Sequence, residues 1–138
     1  MYQLIDHTAD IGIRVKGSSL EDLFIKTAEA LFDISIKIRR PSTPVIQVPI
    51  AIEADSVDQL LVKWLQELLY LYESRHLVLS NFWMDELDER HLIGTVKGAK
   101  FDSTRHSEEL SIKAVTYHQL EVVKDDDGSW FAKVIFDI

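Results

Sequence analysis

Val57-Asp58-Gln59-Leu60-Leu61-Val62-Lys63-Trp64-Leu65-Gln66-Glu67-Leu68-Leu69-Tyr70-Leu71-Tyr72 is the stretch on which the fold turns. Val57, Leu60, Leu61, Trp64, Leu65, Leu68, Leu69 and Tyr72 recur at helical intervals and lay a wide apolar stripe along one side. Asp58, Lys63 and Glu67 break the apolar run, which argues for a helix packed on a core and against a membrane span. Asp55 or Ser56 supplies the N-cap, since a short side-chain oxygen there accepts from the free amides of the first turn. The leucines and Trp64 read as core packing, not as a cofactor groove.

Toward the N-terminus, Ile46, Val48, Ile50 and Ile52 alternate with polar or small residues, and Pro49 inside that run predicts an edge strand or a bulge. Lys37, Arg39 and Arg40, just before Pro41, read as a solvated loop, with a partner contact as the competing reading. Ser18 and Ser19 precede Glu21 and Asp22 at capping-box spacing, and Leu20, Leu23, Phe24, Thr27, Ala28 and Leu31 mark a second amphipathic helix. Ile11, Ile13 and Val15 against Gly12, Arg14 and Lys16 have period two, a half-buried strand that ends at Gly17. Beyond Arg75 the chain is strand-rich: Leu77 to Leu87, Leu92 to Phe101, Leu110 to Tyr117, Leu120 to Lys124 and Trp130 to Phe136. Asp125-Asp126-Asp127-Gly128 separates the last two as a hairpin. The expected architecture is a two-layer α+β fold, two helices on one face of a mixed, mostly antiparallel sheet, forming one domain over residues 1–138.

At 138 residues the chain can bury roughly two-thirds of its unfolded surface, enough for one core. A hydrophobic content of 46% and a charged content of 28% argue against disorder. Nothing at the N-terminus resembles a signal peptide, so a cytoplasmic location is expected. The absence of cysteine excludes disulfides, thiolate nucleophiles and sulfur-ligated metals. A net charge of −8 argues against an unaided grip on nucleic acid, because phosphate binding needs clustered Lys and Arg. Any connection to RNA is expected to run through a protein partner.

Several familiar chemistries are missing. Asp125 to Gly128 lacks the alternating acids and the distant Glu of a calcium-binding loop. Gly94 and Gly98 lie in a strand-like run instead of opening a helix, which argues against a phosphate-cradling loop there. His7, His76, His91, His106 and His118 show no metal spacing, and no nucleophile elbow is present. The two ends remain. Along an extended chain Asp6 and Asp10 stand about 13 Å apart, so they share an ion only if the backbone turns between them. Val134, Ile135 and Phe136 make an apolar strand running almost to the last residue, which holds Asp137 and the terminal carboxylate or carbonyl of Ile138 in a fixed place. With Asp10 beside them, three oxygen-bearing groups converge and require a cation or a proton. Oxygen-only ligation suits calcium, magnesium or manganese. The competing reading of Asp10 is a cap or turn acceptor.

Asp6-His7-Thr8-Ala9-Asp10-Ile11-Gly12 resembles the opening signature of the archeases, Lys113-Ala114-Val115-Thr116-Tyr117-His118 is similar to their strand signature, and Asp137-Ile138 resembles their closing residues. Essentially the whole chain is covered. The resemblance implies a strand-helix-strand-strand module inserted within another. It implies a calcium ion held by Asp10, Asp137 and Ile138, and a non-catalytic role: activating an RtcB-type RNA ligase in tRNA splicing by promoting guanylylation and repeated turnover. Gln119 stands where many members carry an acid, so it receives no role; Lys113, Tyr117 and His118 read first as strand packing. Two other functions compete: a chaperone-like module for another RNA-processing enzyme such as a tRNA methyltransferase, and a small metal-dependent phosphoesterase. The second lacks a visible base or nucleophile.

Overall fold

A computed structural model describes residues 2–6 and 9–138. In chain order the elements are β1 (Tyr2–Asp6), β2 (Asp10–Gly17), α1 (Leu20–Ser35), β3 (Ile36–Ile38), β4 (Ile46–Glu53), α2 (Val57–Arg75), β5 (Leu77–Leu87), β6 (His91–Lys100), β7 (His106–Glu108), β8 (Ala114–Lys124) and β9 (Trp130–Asp137). Both helices begin where the caps predict. Ser19 accepts from the Asp22 amide at 3.0 Å, and Ser56 from that of Gln59 at 3.3 Å. Asp22 reaches back to accept from the Ser18 amide at 2.8 Å, and that bond, more than the nearby Lys26, holds its carboxyl below the usual range.

The strands divide into three sheets, with orders β1-β2-β9-β8, β4-β6-β5 and β3-β7, and each pairing is antiparallel. The α+β class holds, and the strands are split among sheets because the two halves repeat one topology. Strand β2, helix α1 and strands β8 and β9 form a strand-helix-strand-strand unit whose last strand lies in the middle. Strand β4, helix α2 and strands β5 and β6 form a second such unit, inserted in the first, again with the last strand central. Helix α1 lies against β2 and β5, and α2 against β8 and β5, so the helix pair serves both larger sheets. Residues of both units enter one hydrophobic cluster, in which Phe24, Trp64 and Phe136 are fully buried. The Trp64 indole N–H donates to the Phe24 carbonyl at 3.0 Å, which satisfies a buried donor and pins α2 to α1.

Pro49 sits on β4, an edge strand, where its missing amide takes nothing from a ladder. The hairpin at Asp125 closes with Gly128 at φ +86° and the Asp125 amide on the Ser129 carbonyl at 2.8 Å. Three expectations need correction. Leu110 to Lys113 precedes the strand, and the two strands expected over Leu110–Tyr117 and Leu120–Lys124 are one, β8, interrupted by an irregularity between Thr116 and Glu121 with Gln119 at φ +51°. Lys37 belongs to β3, and only Arg39 and Arg40 are loop, their amides directed to the Arg105 carbonyl. Strands β1, β3 and β7 gave no sequence signal: β3 and β7 are three residues each, too short to display an alternation.

Candidate functional site

Strand β9 is flanked by β2 on one side and β8 on the other, so its end does not fray as a lone terminal strand would. Asp10 and Asp137 are direct register partners across β2 and β9, and Ala114 faces Asp137 from β8. Residues opposed in this way lie on one face with their Cβ atoms about 5 Å apart. The row therefore reads Asp10, Asp137, Ala114, two carboxylates beside a methyl group. Past the ladder the Lys113 amide donates to the Asp137 carbonyl at 2.8 Å, and the Ile138 amide donates to the Ala9 carbonyl at 3.3 Å. Ile138 is thus held on the β2 side, next to Asp10, and its side chain packs against the core.

Opposed like charges destabilise a ladder, and the effect grows as water is excluded. Asp137 is exposed and Asp10 partly so. Among the described residues, Asp10 Oδ1 is the one buried side-chain oxygen or nitrogen without a hydrogen-bond partner. A buried carboxylate oxygen without a hydrogen-bond partner among the described residues, beside a second carboxylate, fits a hard cation and nothing apolar. Among the described residues no three His, Asp or Glu side chains gather in the manner of a metal site; beside the two carboxylates stands the main chain of Ile138. The structure brings together Asp10, Asp137 and Ile138, the three residues singled out from the sequence.

Asp6 ends β1 as the antiparallel register partner of Ile11; the Asp6 side chain, with His7 and Thr8, lies outside the described residues. His118 and Tyr117 are exposed within the irregular part of β8, where the His118 amide donates to Thr116 Oγ1 at 3.2 Å. Lys113 is exposed one residue before β8 and carries the amide that fixes Asp137, a main-chain role that no residue-type signal could reveal. His106 is buried, and its Nδ1 accepts from the Asp102 amide at 3.0 Å. Burial pushes its pKa below the ordinary 6.5, against the opposing pull of Asp102, so it is a neutral structural imidazole.

An α+β chain with one strand-helix-strand-strand unit threaded into another, and paired aspartates where its first long strand meets its last, defines a specific structural class. The archease protein family model matches residues 2–138. The chain is 37% identical to the archease of Pyrococcus furiosus over 96% of its own length and 95% of that protein, and 37% identical to that of Methanosarcina barkeri over 99% and 95%. It is also similar to a Methanobacterium thermoautotrophicum protein of known solution structure, at 30% identity and a TM-score of 0.76, covering 99% of this chain and 98% of that one. A Thermotoga maritima crystal structure, described as an archease and possible chaperone, shares the fold with a TM-score of 0.64 at 22% identity. The chain belongs to the archease family. No helix among the described residues is long and apolar enough to cross a membrane.

Proposed function

We propose that this chain is a metal-binding accessory protein that activates an RtcB-type RNA ligase, and that Asp10, Asp137 and Ile138 hold the ion. The observation that carries the reading is the register pairing of Asp10 with Asp137 around a buried, unpartnered carboxylate oxygen. Calcium is the first candidate, with magnesium or manganese as alternatives, because every available donor is a hard oxygen. When bound, such an ion would supply positive charge and open coordination positions to a partner's anionic groups. The chain's own residues do the positioning. The Lys113 amide fixes Asp137, the Ala9 carbonyl fixes Ile138, and Ala114 leaves the space beside the carboxylates uncrowded.

A net charge of −8 supports a protein partner that is itself basic enough to hold RNA. In this reading the acidic corner docks near the ligase active site, in the cytoplasm, and helps arrange divalent metal and GTP there without catalysing a reaction of its own. The test is guanylylation of the cognate RNA ligase by labelled GTP, with wild type and with Asp10→Ala and Asp137→Ala variants. Stimulation by wild type alone supports the reading, whereas full stimulation by Asp10→Ala contradicts it. A second reading, a chaperone-like module for another RNA-processing enzyme such as a tRNA methyltransferase, draws on the description of the Thermotoga maritima relative as a possible chaperone. Co-purification of a methyltransferase instead of a ligase would favour it.

A further inference from the structure

A cleft of about 550 Å³ opens between α1, β3 and β5, well inside the size range of ligand sites. Its walls have an unusual composition. Ile36, Lys37 and Ile38 line it from β3, and Val78, Leu79 and Ser80 line it from β5. Side chains of a strand alternate between faces, so a cleft lying on a sheet face meets every second residue. Three consecutive residues from each of two strands line a common cleft only when it looks onto the strand edges. Both edges are open apart from the Ile36 amide, which donates to the Phe32 carbonyl at the end of α1: among the described residues β3 pairs with β7 alone and β5 with β6 alone. Ser80 is also the extra residue where the β5 ladder shifts register between Leu79 and Asn81, which leaves it outside the pairing with β6.

Two facing, unpaired edges offer main-chain donors and acceptors to an extended chain laid between them. The floor is apolar, with Phe32 and Phe82 buried beneath the opening. The charged lining is one-sided: Glu29, Asp33 and Glu109 are exposed around the cleft, against the single cation Lys37. A second copy of this chain would bring another strongly acidic surface to an acidic rim, a like-charge approach that opposes self-pairing. We propose that this cleft takes up an extended segment of a partner protein by strand addition, apolar residues on the floor and Lys or Arg side chains against Glu29, Asp33 and Glu109. The site stands on different residues from the Asp10 corner and does not depend on the ligase reading.

The test is amide NMR of the full chain titrated with a pool of short blocked peptides in which Val or Ile alternates with Lys or Arg. Shifts are expected across Ile36–Ile38 and Val78–Phe82, with slowed hydrogen exchange at those amides that face the cleft, the Ile36 amide excepted because the Phe32 carbonyl already accepts from it. N-methylation of alternate peptide amides should abolish binding, because it removes the edge hydrogen bonds. Glu in place of Lys and Arg in the peptides, or the Glu29→Lys/Glu109→Lys variant with unchanged circular dichroism, should weaken binding about tenfold. Silence of these amides toward the whole pool, or equal binding of the N-methylated peptides, would overturn the proposal. So would dimerisation that protects the same amides without peptide, since a second copy would then be the occupant.

Discussion

The two strand-helix-strand-strand units share a topology and differ at equivalent corners. In the inserted unit the first strand meets the central strand at Ile46 and Gly98, and β5 places Leu79 against the same glycine. In the enclosing unit the corresponding corner is Asp10, Asp137 and Ala114. One corner is closed by packing: a Cβ on Gly98 would meet the Val78 carbonyl, with Leu79 Cα at 2.9 Å, so only glycine lets the bulged β5 backbone approach. The other carries two opposed carboxylates that no packing explains. The same topology thus separates a corner kept for stability from a corner available for chemistry, and that contrast can be broken experimentally.

The largest effect is expected where the units share a core. Trp64→Ala removes a fully buried side chain and its bond to Phe24, and should cost about 3–5 kcal/mol by urea unfolding. Because α2 serves both sheets, both halves should unfold in one transition; two separated transitions would break the shared-core description. Gly98→Ala should destabilise by about 2 kcal/mol, since the new methyl meets backbone and not a movable side chain. A neutral outcome would show that the inserted corner is looser than its geometry implies.

Asp10→Asn sharpens the contrast through a change of sign. In chelator the variant should be more stable than wild type by up to about 1 kcal/mol, because one of two opposed carboxylates is neutralised and Asn can donate to Asp137. With calcium at a hundredfold excess over its dissociation constant, wild type should gain about 2.7 kcal/mol and overtake it. The smallest effect concerns His106, whose folded pKa lies below 6.5. The unfolded chain then binds more protons between those values, so stability should fall as pH drops below 6.5 and stay flat through neutrality. A His106→Gln variant should lose that slope.

Much of this was readable in advance for local reasons. Ser19 and Ser56 announce their helices because a cap acts within one turn, and the leucine stripe from Val57 announces its burial because helical period and apolar face coincide. The carboxylates at the two chain ends were visible as residues, while their meeting was implied by the family resemblance and by no local pattern. That Asp10 opposes Asp137 depends on the register of strands from opposite ends of the chain, set by core pairs such as Ile11 with Phe136 and Ile13 with Val134. Lys113 acts through an amide that every residue but proline possesses. The separation of the two larger sheets follows from the insertion of one unit in another, a nonlocal property that no alternation pattern displays.

The most direct measurement is a calorimetric calcium titration of the metal-stripped protein beside Asp10→Asn and Asp137→Asn. The account predicts one saturable site in wild type that either substitution abolishes or weakens by more than about tenfold. Equal calcium binding by all three proteins, or none by wild type with calcium, magnesium or manganese, would contradict it.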